Sequence, residues 1–269
     1  MTATLAPLDG ALRARLGEQE WAAASAGVAG LPGWAGVLPV DRDGSAVAPA
    51  GPAERSGDPD PVLRAAVEGG GAATVTIEVA AAAGDRALLA VLWCDPAAGS
   101  GLARGVDVVP GAGLAGSTPR PGVEVSAFPV GRLLDEVLRH VPDAPVRVAA
   151  APATVPEELT IALAQAIRTG DTTTVDALCA ELGTDGPPAV VEAAVRGTDG
   201  SLVVSVASRG RADVSTLSLL RTDAGWVELA RTADGHVVHT PRSREDVRTT
   251  LLHDLTGRFP TATTTEGDA

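Results

Sequence analysis

Lysine is absent from the 269 residues, so all 21 basic residues are arginines. Its absence excludes a P-loop, in which a lysine contacts the phosphates, and chemistry that proceeds through a lysine Schiff base. Tyrosine is absent too, and the aromatic residues are four Trp and two Phe. Ala, Val and Leu must therefore build the core. The use of Arg in place of Lys, together with 31 Gly and 20 Pro, is typical of a GC-rich genome such as that of an actinobacterium.

Net positive charge and long apolar runs are also lacking. The net charge is −13 and the isoelectric point is about 4.7, so the surface repels the phosphates of nucleic acid and anionic lipid. No apolar run reaches bilayer length, and the N-terminus does not have the pattern of a signal peptide, which predicts a cytoplasmic protein without membrane insertion. Cys94 and Cys179 are far apart in apolar surroundings, which favours two buried thiols over a disulfide.

One motif has the spacing of a nucleotide-binding loop, the G-x-G-x-x-G of residues 111–116 after the apolar run 106–109. A dinucleotide-binding loop requires that a helix begin inside the motif, so that its N-terminus faces the pyrophosphate. Pro119 and Pro121 are incompatible with a helix at that position, and the flanking segments have the pattern of antiparallel strands. We therefore predict a long insertion in a loop, of the kind that often serves in recognition, and no nucleotide site.

The other reactive side chains form no recognisable constellation. His236 and His239 are three residues apart on a predicted strand, which places them on opposite faces, and the histidines are predicted to be surface residues. Most of the paired carboxylates lie in loops or at helix starts, where they complement the helix dipole. We therefore predict no catalytic residue, no metal ligand and no bound cofactor.

The sequence resembles itself. The segment VLRAAVEG (62–69) matches VVEAAVRG (190–197), and each is followed by several predicted strands with short turns and then by a helix. Because short connections favour antiparallel pairing, each copy is predicted to read helix, antiparallel strands, helix. Chance similarity between two Ala/Val-rich segments is the alternative.

These patterns predict one α+β domain over residues 62–257, built from two repeats. The repeats span residues 62–141 and 190–255, and a helical hairpin at 156–183, broken at Gly170 and capped by Asp171, joins them. Residues 1–61 are predicted to hold a helix, over 5–26, and a Gly/Pro-rich loop. The polar tail 258–269 is predicted to be disordered.

The second-copy segment LSLLRTDAGWVELARTADGHVVHTPRSREDVRTTLLHDL alternates charged turns, Trp-Val and Val-Val strands and a final helix. With the element order over residues 58–257, this pattern resembles the EspG family, which is associated with ESX (type VII) secretion in actinobacteria. The resemblance implies a quasi-two-fold α+β fold, in which a central, largely antiparallel sheet is flanked by helical bundles. It also implies a cytosolic chaperone that binds helical PE/PPE heterodimers. The first 58 residues depart from the family pattern.

A chaperone of this kind would hold the apolar tip of its client in a groove. We expect the hairpin 156–183 and the loops 94–104 and 110–122 to contribute, with Leu102, Leu114 and Trp226 as partner contacts. Two other functions stay open: a small-molecule-binding or sensor domain with a pocket between the two repeats, and an enzyme whose catalytic residues are dispersed in sequence.

Overall fold

The structure, a computed structural model, describes residues 10–38, 61–71, 73–109, 117–145 and 150–259. Leu114, the glycines of the G-x-G-x-x-G motif, nearly all of the tail and more than half of the Gly/Pro-rich segment lie outside these residues. The predictions made for them therefore stay predictions.

The described residues form one sheet of eleven strands, paired antiparallel throughout. The strands are β1 (Leu12–Leu16), β2 (Val75–Ala83), β3 (Arg86–Cys94), β4 (Ala98–Asp107), β5 (Thr118–Pro119), β6 (Val123–Pro129), β7 (Ala153–Pro156), β8 (Gly200–Ser208), β9 (Val214–Thr222), β10 (Gly225–Arg231) and β11 (His236–Arg242). Their order is β1-β6-β4-β3-β2-β8-β9-β10-β11-β7, and β5 pairs with β4 outside this path.

Seven α-helices accompany the sheet in the described part of the chain. They are α1 (Glu18–Ser25), α2 (Pro61–Glu68), α3 (Leu133–Leu138), α4 (Glu157–Thr169), α5 (Thr172–Glu181), α6 (Ala189–Arg196) and α7 (Arg244–Thr256). Gly170 has φ +73° between α4 and α5, and the Asp171 carboxylate accepts a hydrogen bond from the backbone N–H of Thr174 at 3.0 Å. The helices of the predicted hairpin, its break and its cap are thus confirmed.

The sheet has pseudo-two-fold symmetry, because β2 and β8 pair at its centre and equivalent strands follow on each side. Val79 pairs with Val204 at the middle of these two nine-residue strands, where the pseudo-two-fold axis passes. Each half begins with an edge strand followed directly by a helix: β1 and α1 in the first, β7 and α4 in the second. The predicted fold class, α+β with a quasi-two-fold antiparallel sheet and flanking helices, is confirmed.

Two local predictions are wrong. Residues 12–16, predicted as part of a helix, form β1, because their backbone pairs with β6 at the sheet edge. Most of the predicted loop 94–104 belongs to β4, although Gly and Ala have low strand propensity. Small residues suit this strand because neighbouring groups come close: a Cβ on Gly101 would lie 3.0 Å from Ser126 Oγ and 3.3 Å from the Val91 carbonyl oxygen.

Helices cover the two faces of the sheet differently. One face, called face A, carries Val79 and Val204 and packs against α3 and α7 in a single apolar cluster. The opposite face B carries two separate clusters, one at each end. The first includes residues of α1 and α2, and the second includes residues of α4, α5 and α6. Among the described residues, no helix covers the middle of face B, which lies between these two groups of helices.

Candidate functional site

The open middle of face B is the candidate site, and we call it the central strip. Its side chains are all partly or fully exposed. They are Thr76, Glu78 and Ala80 on β2, Val203, Ser205 and Ala207 on β8, and Thr216 and Ser218 on β9. Only Glu78 among them carries a charge, although the chain as a whole is strongly acidic.

The dimensions of the central strip suit a helix. Three adjacent strands span about 10 Å, since neighbouring strands lie about 4.8 Å apart. An α-helix with its side chains is about 10–12 Å across. Small side chains such as Ala80 and Ala207 leave a flat floor, so a helix laid on the strip would contact all three strands.

Close packing of helix α2 against the sheet fixes one border of the strip. The short 3-10 helix Gly69–Gly71 follows α2 and lies against Trp93, the cross-strand neighbour of Thr76. A Cβ on Gly70 would lie 2.8 Å from Trp93 Cε2, and one on Gly69 would lie 2.6 Å from Ser100 Oγ. The glycines that end the first copy of the repeated helix thus allow the helical layer to approach the sheet.

A buried ion pair holds the N-terminal cover, residues 33–38, over the first half of face B. Arg104 Nη2 contacts Glu18 Oε1 at 3.1 Å, and Arg104 Nη1 donates to the Gly36 carbonyl at 2.8 Å. The Glu18 carboxylate also accepts hydrogen bonds from the backbone N–H groups of Leu38 (2.8 Å) and Gly122 (2.7 Å). Burial lowers the pKa of Arg104, against the opposing effect of the Glu18 charge.

The structure places two of the three predicted partner contacts in the interior of the protein. Leu102 is only 1 % exposed because it packs in the cluster formed with α1, α2 and the N-terminal cover. Trp226 is 2 % exposed on face A. Both are core residues, which corrects the prediction that they face a partner. Leu114 lies outside the described residues. The sequence does not reveal the central strip, because the alternation of residues in its strands is the same as in any half-buried strand.

A strand follows the G-x-G-x-x-G motif. Residues 118–119 form β5, and Pro119 pairs with Val106 of β4. The helix that a dinucleotide-binding loop requires is therefore not present at residues 117–119, in agreement with the argument from Pro119 and Pro121.

The cysteines are free and buried. Burial, with a smaller contribution from the charge of Asp95, raises the pKa of the Cys94 thiol to about 12, so it stays protonated at neutral pH and is a poor nucleophile. Among the described residues, no group of three or more His, Cys, Asp or Glu side chains is placed to hold a metal ion.

Two histidines are buried, which corrects the prediction that they lie at the surface. His239 lies in β11, which packs against α4 and α6, and His140 follows α3. Burial lowers the pKa of His140 to about 3, and the nearby charges of Arg139 and Arg13 add to the effect. Burial also lowers the pKa of His239.

Acid is therefore expected to destabilise the protein through His140. Its pKa is depressed in the folded state, so stability is fully present above the unfolded value of about 6.5 and is lost as the pH falls toward 3, by up to about 1.4 kcal/mol per pH unit. In urea unfolding between pH 6.5 and 4, His140→Gln should lose less stability than the parent chain. His253→Gln, at an exposed histidine, should follow the parent. Equal slopes for His140→Gln and the parent would contradict the assignment.

An open cleft of about 760 Å³ lies on the other side of the sheet, between α3 of the first half and α7 of the second. Five of its six lining side chains are charged; the residues are Asp135, Leu138, Arg139, Arg244, Glu245 and Arg248. Small-molecule pockets are mostly apolar with a few placed polar groups. The cleft thus gives little support to a sensor function.

Comparisons with known proteins find similarity to solved structures but no match by sequence. No family model matches the sequence, and no curated protein matches it. Among solved structures, the chain is similar to the Mycobacterium tuberculosis type VII secretion system chaperone EspG5, solved in complex with a PE25–PPE41 dimer. The identity is 13 %, the alignment covers 78 % of this chain and 80 % of that chain, and the TM-score is 0.47.

The helices of the described residues are too short or too polar to cross a membrane.

Proposed function

We propose that this protein is a non-enzymatic cytosolic chaperone. Its client is a helical PE/PPE-type heterodimer, which it binds before export through an ESX (type VII) secretion system. The central strip carries the proposal: a flat, weakly charged surface one helix wide lies open between two helical layers. A helix that entered the strip would bury apolar and hydroxyl groups on both partners, which is the helix-in-groove mode of recognition.

A surface that binds by shape also explains how an acidic chain could stay selective. The strip is nearly neutral, whereas the rest of the chain supplies most of the net charge of −13. Like-charge repulsion then excludes acidic competitors and keeps the chaperone from associating with itself, while burial of the strip supplies affinity for an apolar client.

The test uses a PE/PPE-type heterodimer encoded in the same genome, co-expressed with the full chain. We expect a stable ternary complex on gel filtration and a larger soluble fraction of the heterodimer than when it is expressed alone. Thr216→Arg places a long charged side chain on an exposed position of the strip and should weaken binding by about 100-fold or more.

Thr249→Arg is the matched control, because Thr249 is an exposed threonine on α7, which packs on face A. Circular dichroism of both variants establishes that they fold. The proposal is wrong if Thr216→Arg binds the heterodimer as tightly as Thr249→Arg, or if no such heterodimer binds the parent chain.

A further inference from the structure

The pseudo-two-fold axis repeats the Arg104 ion pair in the second half of the chain. Counted from the first residues of the equivalent strands β4 and β10, Arg104 and Arg231 are both seventh. Glu18 and Glu157 are both the first residue of the helix after an edge strand. Arg231 and Glu157 form an ion pair, so the two halves keep the same contact between equivalent residues.

The two copies of this contact differ in what covers them. The Arg104 side chain is 0 % exposed beneath the N-terminal cover, whereas the Arg231 side chain is 72 % exposed. Leu229, fifth in its strand like Leu102, is 39 % exposed, against 1 % for Leu102. In the second half an apolar side chain and an ion pair thus lie open where the first half has a buried core.

The difference has a local cause in the sequence. The fourth residue of α1 is Trp21, fully buried, and its Nε1–H donates to the Ala35 carbonyl at 2.6 Å, which holds the cover in place. The fourth residue of α4 is Thr160, which cannot make this contact across the same distance. The second half therefore has the equivalent ion pair and leucine, but Thr160 takes the place of the tryptophan that holds the N-terminal cover in the first half.

The first half shows what the open site is built to bind. Gly36 supplies a carbonyl to Arg104, Leu38 supplies an N–H to Glu18, and Ala35 packs in the same apolar cluster as Leu102. We propose that residues Leu229, Arg231 and Glu157 bind a short apolar turn of the client protein. The main chain of that turn would accept a hydrogen bond from Arg231 and donate one to Glu157, as the N-terminal cover does in the first half.

This inference rests on the proposed function for the identity of the partner. Position supports the connection, because Leu229 lies on face B in the strand next to Ser218 of the central strip. A client helix on the strip would bring the turn at its end onto Leu229. The two surfaces then act together, the strip by apolar burial and the Leu229 site by directional hydrogen bonds.

The first test needs no client. The probe is a peptide with the sequence of residues 30–38, GLPGWAGVL, acetylated and amidated, titrated into the ¹⁵N-labelled full chain. We expect saturable amide shifts at residues 229–231 and at Glu157. Arg231→Ala should weaken binding at least about tenfold, as loss of a charge-assisted hydrogen bond implies. Arg64→Ala, at an exposed ion pair on α2, should leave binding unchanged.

Shifts that are absent, that are confined to the first half, or that persist unchanged in Arg231→Ala overturn the proposal. The second test uses the heterodimer complex: Leu229→Ser and Arg231→Ala should each weaken it, with Arg64→Ala as control. If Thr216→Arg releases the client but these two variants do not, the Leu229 site is wrong and the chaperone function stands. If the peptide binds through Arg231 but no heterodimer does, the site stands and the chaperone function is wrong.

Discussion

Arg104→Ala is expected to lower the free energy of unfolding by about 3–5 kcal/mol, whereas Arg231→Ala at the equivalent position should cost less than about 1 kcal/mol. Arg104 is fully buried, so its removal leaves the Glu18 carboxylate in the core without a counter-charge and the Gly36 carbonyl without its donor. Arg231 is mostly exposed, and water solvates Glu157 when the arginine is removed. Urea unfolding of the two variants and the parent measures both values.

A double substitution separates charge from packing at this site. Glu18→Leu combined with Arg104→Met removes both buried charges and should recover part of the loss, because the cost of an ion pair in the core is mostly that of desolvation. Equal destabilisation by Arg104→Ala and Arg231→Ala would show that burial of the first ion pair has no energetic consequence. It would also remove the contrast on which the Leu229 site rests.

Phe128→Ala should destabilise the fold by about 3–5 kcal/mol, because Phe128 is fully buried in the large cluster on face A and its removal leaves a cavity. Phe128 lies opposite Gly99 on β4, and a Cβ on Gly99 would lie 2.7 Å from Phe128 Cζ and 2.9 Å from Cys94 Sγ. Gly99→Ala alone should therefore cost about 1–3 kcal/mol through overpacking. Thermal and urea unfolding measure the two changes.

The double variant Gly99→Ala with Phe128→Ala should cost less than the sum of the single variants, because the added methyl enters space that the phenyl ring has left. Gly131→Ala is the control, since no heavy atom lies within 4 Å of a Cβ at that position. Strict additivity of the two substitutions would mean that Gly99 and Phe128 do not pack against each other.

The sequence predicted the elements whose own pattern carries their structure. The alternation in β2 and β8 and the amphipathic segments α4 and α7 were recognisable because each buries one side. Asp171 and Gly170 were recognisable because capping and left-handed backbone require particular residue types. Together with the internal repeat and the family resemblance, these local signals predicted the fold class.

Elements that depend on distant residues were not predictable. The LRARL segment of β1 has apolar spacing that also suits a helix, and only pairing with β6, more than a hundred residues later, makes it a strand. The small residues around Leu102 favour a loop with Leu102 at its surface. Leu102 is buried by a cover whose Gly36 lies 68 residues before Arg104. Single-sequence patterns carry no information about such contacts.

The pairing of β2 with β8 in one chain has a consequence for the number of clients that the chain would bind. A two-fold homodimer of a single repeat would present identical surfaces on both subunits and would take up two clients or none. In one polypeptide the two halves can differ in sequence. Here the first half has Trp21 and the N-terminal cover, whereas Leu229 of the second half, the equivalent of Leu102, is exposed. If the client binds as proposed, we expect one client per chain, bound in one orientation.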